Sequence, residues 1–205
     1  MTVRCERKQT TVLFLDVCGF TAMSERLDPE DVRGIMDRAF EIILETVHVH
    51  GGTVNQFLGD GVMALFEDID GAETHAVRAL RAAIAIQNDL APVRADIRRV
   101  HGVEFRVRAG LHSGPVTMGV IGRGLRNDYV SRGETMNIAA RLVNMARGEQ
   151  ILVSTATREL ALGAFAFVAV DDIFADRDPF PVPAWLVAFE PCDRVDAELG
   201  LLTEV

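Results

Sequence analysis

Residues 51–66 read GGTVNQFLGDGVMALF, and this stretch decides the fold that the chain is predicted to adopt. Two short apolar runs, 53–57 and 61–66, flank a Leu-Gly-Asp-Gly segment at residues 58–61. An Asp-Gly step between two such runs is a strong signal for a β-hairpin. The sequence therefore predicts two antiparallel strands with the acid Asp60 at their turn.

The segment before the hairpin is predicted to form a strand and then a helix. Residues 11–16 (TVLFLD) are apolar and partly β-branched and end in Asp16, as expected of a buried strand. Asp28 and Pro29 suit the N-cap and the first position of a helix that Gly51-Gly52 ends. Apolar residues recur there at spacings of three and four and define a core-facing stripe: Val32, Ile35, Met36, Ala39, Phe40, Ile43 and Val47.

The pattern after the hairpin completes an α+β order. A helix at about 71–95 precedes two strands, 105–111 and 115–121, joined by His112-Ser113-Gly114. A loop, a third helix and further short elements follow, at 122–127, 133–146, 151–154, 155–160, 166–170 and 184–189. This order predicts a ferredoxin-like βαββαβ fold with a C-terminal strand and helix extension. We expect one domain over residues 1–192 and a loosely ordered tail over 193–205.

Composition, charge and cysteine spacing limit the classes of protein to which this chain can belong. The 205 residues are 49% hydrophobic and 25% charged, as in globular proteins, and the net charge of −9 argues against a general nucleic-acid or anionic-membrane surface. The three cysteines form no CxxC pair that would indicate zinc or a disulfide framework. The N-terminus is too polar for a signal peptide, and no apolar run approaches the roughly 18–20 residues of a membrane span. We therefore expect a cytoplasmic protein.

Two acids are candidates for metal chemistry. If the first strand pairs beside the hairpin, Asp16 and Asp60 reach the same end of the sheet. Two carboxylates there suit magnesium, which takes few protein oxygens and fills its shell from phosphates and water. The residues 17–21 (VCGFT) follow Asp16 as a small glycine turn whose N–H groups can converge on an anion. The alternative for each acid is that it caps a turn.

A third candidate feature lies on the third helix. Asn137 and Arg141 are four residues apart and so share one helix face, whereas Ile138, Leu142 and Met145 form a separate apolar stripe. A guanidinium at this place suits a phosphate whose charge grows in a transition state. The alternative is an ordinary surface arginine.

Four blocks of this sequence resemble, in order and spacing, the signatures of class III adenylyl and guanylyl cyclases, the bacterial type in particular. The blocks are DVCGFT (16–21), GGTVNQFLGDGVMALF (51–66), RVRAGLHSGPVTMGVIG (106–122) and GETMNIAARL (133–142). The resemblance covers roughly residues 9–190. It implies a cyclase homology domain that converts a nucleoside triphosphate, ATP by default, into a 3′,5′-cyclic nucleotide and pyrophosphate.

The resemblance also implies roles for the residues around the first acid. Asp16 and Asp60 match the metal-binding acids of the family, with two Mg²⁺ or Mn²⁺ ions per site. Val17 matches the position that offers a backbone carbonyl to the second metal. The turn that matches the phosphate-binding loop consists of Cys18, Gly19, Phe20 and Thr21.

The residues on the third helix receive roles in the same way. Asn137 matches the asparagine that orients the ribose, and Arg141 matches the arginine that stabilises the transition state at the α-phosphate. In this family the metal ligands come from one subunit and the Asn/Arg pair from the other. The resemblance therefore implies a homodimer with sites at the subunit interface.

The sequence departs from the family pattern where the base and the distal phosphates are bound. Gln56 stands where adenylyl cyclases usually have a lysine, and Val130 stands where its aspartate or threonine partner is usual. The family's C-terminal phosphate-binding lysine is missing, because Lys8 is the only lysine in the chain. Arg177 is the nearest candidate to replace it, with Arg123 and Arg126 as alternatives.

These departures leave a second class of function open. A catalytically weak or inactive cyclase-like module could bind nucleotide or a partner for regulation. The joint presence of Asp16, Asp60, Asn137 and Arg141 favours the active enzyme. A diguanylate cyclase is disfavoured because the chain has no GGDEF-like run.

Overall fold

The computed structural model describes residues 5–121, 128–129, 134–170 and 182–189. The elements in chain order are β1 (Cys5–Val17), α1 (Phe20–Ser24), α2 (Pro29–Val49), β2 (Thr53–Leu58), β3 (Gly61–Glu67), α3 (His75–Asp89), α4 (Ala91–His101), β4 (Val107–Ile121), β5 (Asp128–Tyr129), α5 (Glu134–Met145), β6 (Ile151–Ser154), α6 (Thr155–Leu160), β7 (Ala166–Val170) and β8 (Ala184–Ala188). The predicted loop 122–127 and tail 193–205 lie outside the described residues.

The strands form one sheet in the order β2-β3-β1-β4-β6-β8-β7, with β5 paired to β4. Its first four strands have the order of a ferredoxin-like βαββαβ unit, and β6, α6, β7 and β8 form the C-terminal extension. β1 is antiparallel to both β3 and β4, and β4 is parallel to β6. The predicted fold class is confirmed.

Side chains of β1 alternate between two cores on opposite faces of the sheet. Leu13 and Leu15 belong to the larger core, which includes the apolar residues of α2, α3 and α4. Val12 and Phe14 belong to a smaller core with residues of α5. Asp16 continues the second series, so it lies on the same face of the sheet as α5.

Helix α2 begins at Pro29 as predicted, and its apolar stripe faces the larger core. Five of the seven stripe residues are buried, and Val32 and Phe40 are half-buried. The hairpin is also present, but its two-residue loop is Gly59-Asp60, so Gly61 is already in β3. Gly59 has a φ of +67°, a conformation that favours glycine, and this explains why the Gly-Asp pair forms the loop.

Two element predictions were wrong. Residues 105–111 and 115–121 do not form two strands, because β4 runs unbroken from Val107 to Ile121 and pairs with β1 from Val107 to Gly119. His112, Ser113 and Gly114 lie within that ladder, where the Oγ atoms of Ser113 and Thr11 are 2.7 Å apart. A long partner strand overrides local turn propensity.

The single helix predicted over 71–95 is two helices that meet at Leu90. Pro92 follows this junction and has no N–H to donate to a carbonyl of the preceding turn, so the first helix ends and a second begins. The third predicted helix is α5, which begins at Glu134 within the described residues. In the described part of the chain, no helix has the length and apolar character that a membrane crossing needs.

Candidate active site

Asp16 and Asp60 meet at one end of the sheet. Asp16 is directly opposite Gly61 in the β1–β3 ladder, and Asp60 is the residue before Gly61 in the hairpin loop. Both side chains are half-buried. The antiparallel pairing of β1 with β3 therefore brings together two acids that are 44 positions apart in sequence (60 − 16).

Arg108 holds the carboxylate of Asp16 from the other side. Its Nε and Nη2 atoms both donate to Oδ2 of Asp16, at 2.8 and 2.6 Å. Its Nη1 atom donates to the carbonyl oxygens of Asn144 and Ala146, at 3.0 and 3.3 Å. One guanidinium thus connects the end of β1 to the C-terminal end of α5, and neither bond to Asp16 uses Oδ1.

The electrostatics around Asp60 favour a cation. Burial raises the pKa of the Asp60 carboxyl and the neighbouring charge of Asp16 raises it further, whereas a bond to its own backbone N–H and the charge of Arg108 lower it. The net pKa shift is upward, so the ionised carboxylate lacks compensating charge in the protein alone. A bound cation would supply that charge.

The donor set fits a hard divalent cation such as Mg²⁺. Carboxylate oxygens are the ligands that this ion prefers, and it binds few of them. Among the described residues no group of three or more His, Cys, Asp or Glu could hold a metal by itself. The pair Asp16 and Asp60 is therefore suited to an ion whose other ligands are substrate phosphates and water.

The turn after Asp16 is short and closely tied to the start of β4. Gly19 has a φ of +70° and precedes helix α1. The N–H of Cys18 donates to the Arg106 carbonyl at 2.8 Å, so this N–H is not free to bind a phosphate. Of the predicted phosphate-binding residues, Gly19, Phe20 and Thr21 remain as candidates for contacts through their N–H groups. Burial raises the pKa of the Cys18 thiol despite the nearby Arg108.

Asn137 and Arg141 lie on α5 as predicted, one helical turn apart, with Asn137 exposed and Arg141 half-buried. The C-terminal end of α5 is at Asp16, because its carbonyls accept from Arg108. The N-terminal end lies beside the middle of β4, where Thr135 Oγ1 donates to the Pro115 carbonyl at 2.9 Å. At 1.5 Å per residue, Asn137 lies about 10 Å along the helix axis from Asn144. Asn137 therefore lies about two helical turns from the end of α5 that Arg108 contacts.

Gln56 is exposed on β2, the edge strand beside the hairpin loop. The β2–β3 register shifts between Val54 and Gln56, so a bulge sets the direction of the strand there. Val130, Arg177, Arg123 and Arg126 fall outside the described residues.

Sequence reasoning missed Arg108. The available signal was the alternation of Arg106 and Arg108 with apolar residues in a predicted strand, which places both charges on one face. What that face meets depends on which strand pairs with β4 and in what register. The observed register sets Arg108 opposite Asp16.

Comparisons with known proteins agree with this fold. The family model for the adenylate and guanylate cyclase catalytic domain matches residues 3–177. Adenylate cyclase 1 of Rhizobium meliloti is 35% identical over 152 residues, which are 73% of this chain and 23% of that protein. An adenylate cyclase of Anabaena cylindrica is 29% identical over 153 residues, 72% of this chain and 30% of that protein. The chain thus matches less than a third of the length of these relatives.

Two solved structures are similar over almost the whole fold. The adenylyl cyclase CyaB from P. aeruginosa has a TM-score of 0.83 at 29% identity, covering 93% of this chain and 98% of the other. The guanylyl cyclase Cya2 has a TM-score of 0.78 at 29% identity, covering 92% and 96%. The fold and the paired acids define a nucleotide-cyclase type of domain. The chain belongs to the adenylate and guanylate cyclase catalytic domain family.

Proposed function

We propose that this chain is the catalytic domain of a nucleotidyl cyclase, which converts a nucleoside triphosphate into a 3′,5′-cyclic nucleotide and pyrophosphate. The observation that carries the proposal is the meeting of Asp16 and Asp60 at one end of the sheet in a chain of this family. ATP is the proposed substrate because the Rhizobium and Anabaena relatives are named adenylate cyclases. Cya2 is named a guanylyl cyclase, so GTP is the second nucleotide to test.

Asp16 and Asp60 would hold Mg²⁺ or Mn²⁺, two ions per site, with the backbone carbonyl of Val17 as a further ligand. Bound ions of this kind lower the pKa of the ribose 3′-hydroxyl and offset the charge of the triphosphate. Arg108 occupies only Oδ2 of Asp16. Oδ1 lies on the side of Gly61, 3.7 Å from the point where a Cβ on that glycine would sit, and so points toward the hairpin that carries Asp60.

The remaining residues would bind and orient the substrate. Gly19, Phe20 and Thr21 would donate backbone N–H groups to phosphate oxygens, and Arg177 would contact the distal phosphates. Gln56 would meet the base edge, since its amide can both donate and accept. Val130 would offer the base no hydrogen bond, so discrimination between bases is expected to be weak.

Asn137 would orient the ribose, and Arg141 would donate to the α-phosphate as its charge grows in the transition state. The axial distance of about 10 Å between Asn137 and the end of α5 at Asp16 supports a site completed by a second copy. We propose a symmetric homodimer in which α5 of each protomer faces the acids of the other.

The activity test uses the purified chain with each of the four ribonucleoside triphosphates and Mg²⁺ or Mn²⁺, and detects cyclic product by mass spectrometry. Asp60→Asn keeps the side-chain shape and should abolish the product, because it removes the charge that would bind the ion. Arg141→Ala should slow the reaction by about 10²–10³-fold. Asp60→Asn serves as the inactive control. If the unaltered chain forms no more product than this control from any nucleotide, the proposal is wrong.

The dimer is tested by mixing two inactive variants, Asp16→Asn and Arg141→Ala. Random pairing gives half heterodimers with one intact site of two, so activity should return to about a quarter of the unaltered level. A mixture that stays inactive, although exchange of subunits is demonstrated, would show that each site is built within one protomer.

A further inference from the structure

Gln87 and Arg94 are polar side chains enclosed behind the sheet. Gln87, near the end of α3, is 0% exposed, and Arg94, in the first turns of α4, is 6% exposed. Both helices pack on the face opposite α5, where Val107 and Ala109 of β4 contribute to the larger core. A buried guanidinium is costly unless its N–H groups are hydrogen-bonded and its charge is paired.

Only one orientation of the Gln87 side-chain amide is compatible with its hydrogen-bond partners. Arg94 can only donate, and its Nη1 and Nη2 atoms contact the Oε1 and the backbone oxygen of Gln87, at 3.1 and 2.9 Å. The Gln87 side-chain oxygen must therefore accept, which directs its Nε2 to the other side. There Nε2 donates to the carbonyl of Val107 at 2.7 Å. Arg94 thus fixes which way the buried amide points.

The carbonyl of Val107 belongs to the peptide unit that joins Val107 to Arg108. This unit is planar, so a bond to its oxygen fixes the backbone orientation from which the Arg108 side chain extends. β4 begins at Val107, and residues 102–106 before it have no helix or strand to hold them. The Gln87 amide is therefore an anchor at the point where the strand starts.

The Val107 carbonyl also accepts a hydrogen bond from the loop after α5. The N–H of Glu149 also donates to the Val107 oxygen, at 3.0 Å, and Oε1 of Glu149 is 4.0 Å from Nε of Arg94. This loop follows directly from Ala146, whose carbonyl accepts from Arg108. Gln87 and Arg94 therefore hold both the backbone that carries the Arg108 guanidinium and the loop that receives it.

We infer that Gln87 and Arg94 are positioning residues for the Asp16 carboxylate, acting through Arg108. The inference rests on the proposed function in treating Asp16 as a metal ligand. Partners that orient a ligand from behind change metal affinity strongly, typically by about 10–100-fold when they are altered. Neither Gln87 nor Arg94 touches substrate or metal in this scheme.

The test variant is Gln87→Glu in the full chain. It preserves the shape and the acceptor for Arg94 but replaces the donor to Val107 with an acceptor. Mn²⁺ affinity, measured by electron paramagnetic resonance without nucleotide, should fall about tenfold. Gln87→Met, which adds no charge, should give a similar loss and serves if Gln87→Glu does not fold. Arg81→Met is the matched control, because Arg81 lies on α3 in an exposed ion pair with Glu73 and should leave affinity unchanged.

A double-mutant cycle separates positioning from general destabilisation. In an Arg108→Ala background, the Gln87 substitution should change Mn²⁺ affinity by less than about twofold, because the residue through which it acts is gone. Fully additive losses would overturn the inference, and so would an unchanged affinity in Gln87→Glu alone.

A readout without metal keeps the inference distinct from the proposed function. The ¹⁵N–¹H signal of Arg108 Nε, assigned with Arg108→Lys, reports its hydrogen bond to Asp16. This signal should move toward the position of a solvent-exposed guanidinium in Gln87→Glu and stay in place in Arg81→Met. An unmoved signal in Gln87→Glu would refute the positioning role even if the chain proves to be an active cyclase. A moved signal in a chain that makes no cyclic nucleotide would refute only the proposed function.

Discussion

Gly110→Ala should displace the helix that carries Asn137 and Arg141. Gly110 lies on β4 directly beneath α5. A Cβ there would meet backbone atoms of three α5 residues: Val143 N at 2.2 Å, Ala139 O at 2.7 Å and Leu142 C at 2.8 Å. These are helix backbone atoms, which cannot rotate away as the end of a side chain can. Reaching an ordinary contact of 3.4 Å from 2.2 Å requires about 1.2 Å of movement by the helix or the strand.

Both stability and activity should register that displacement. Overpacking of this kind typically costs about 1–3 kcal/mol, and backbone contacts place Gly110→Ala at the upper end of that range or above it. A misplacement of about 1 Å in catalytic groups can cost on the order of 10²-fold in rate. Urea unfolding measures the first effect, and formation of cyclic nucleotide by the folded fraction measures the second.

Gly34→Ala is the matched control. Gly34 lies inside α2, is exposed, and has no atom within 4 Å of the position of its Cβ. Alanine there should raise the free energy of unfolding by about 0.5–1 kcal/mol through helix propensity, with activity unchanged. If Gly110→Ala unfolds at the same urea concentration as the unaltered chain and keeps its activity, α5 does not pack on β4 as described.

Three further predictions concern other parts of the chain. Thr11→Val should lower the free energy of unfolding by about 1–3 kcal/mol in urea titrations, because the buried His75 and Ser113 lose the hydroxyl that bonds both. A change below about 0.5 kcal/mol would contradict this prediction. Burial lowers the pKa of His75 below its ordinary 6.5, so the unfolded chain binds the proton more tightly and the free energy of unfolding should fall as pH drops below about 6.5. His75→Asn should flatten this pH dependence. A pH profile identical to that of the unaltered chain would refute the burial argument. Gln56→Lys should raise kcat/KM for ATP relative to GTP by roughly tenfold, which corresponds to one hydrogen bond from a charged donor. An unchanged ratio would show that residue 56 does not contact the base.

Much of the fold was predictable because local patterns carried it. The apolar spacing of α2, the runs that became β1 and β3, and the glycine turn between the hairpin strands depend on residues within a few positions of each other. The same locality explains the errors. His112-Ser113-Gly114 has turn-like composition, but pairing with β1 holds it in a continuous strand. Pro92 is a local signal for the helix break at Leu90, whereas the prediction from apolar spacing is one helix over 71–95.

The sequence by itself determined the βαββαβ order of the core, and its strand and turn signals placed Asp16 and Asp60 at strand ends. Only the tertiary structure decided what surrounds them. Arg108 meets Asp16 because of the β1–β4 register, and the direction of the buried Gln87 amide depends on Arg94 and on a carbonyl of β4. Apolar periodicity depends on residues a few positions apart. Strand register and the donor and acceptor roles in buried hydrogen bonds depend on partners far apart in the chain. For that reason the two acids could be predicted from the sequence, but the groups that surround Asp16 could not.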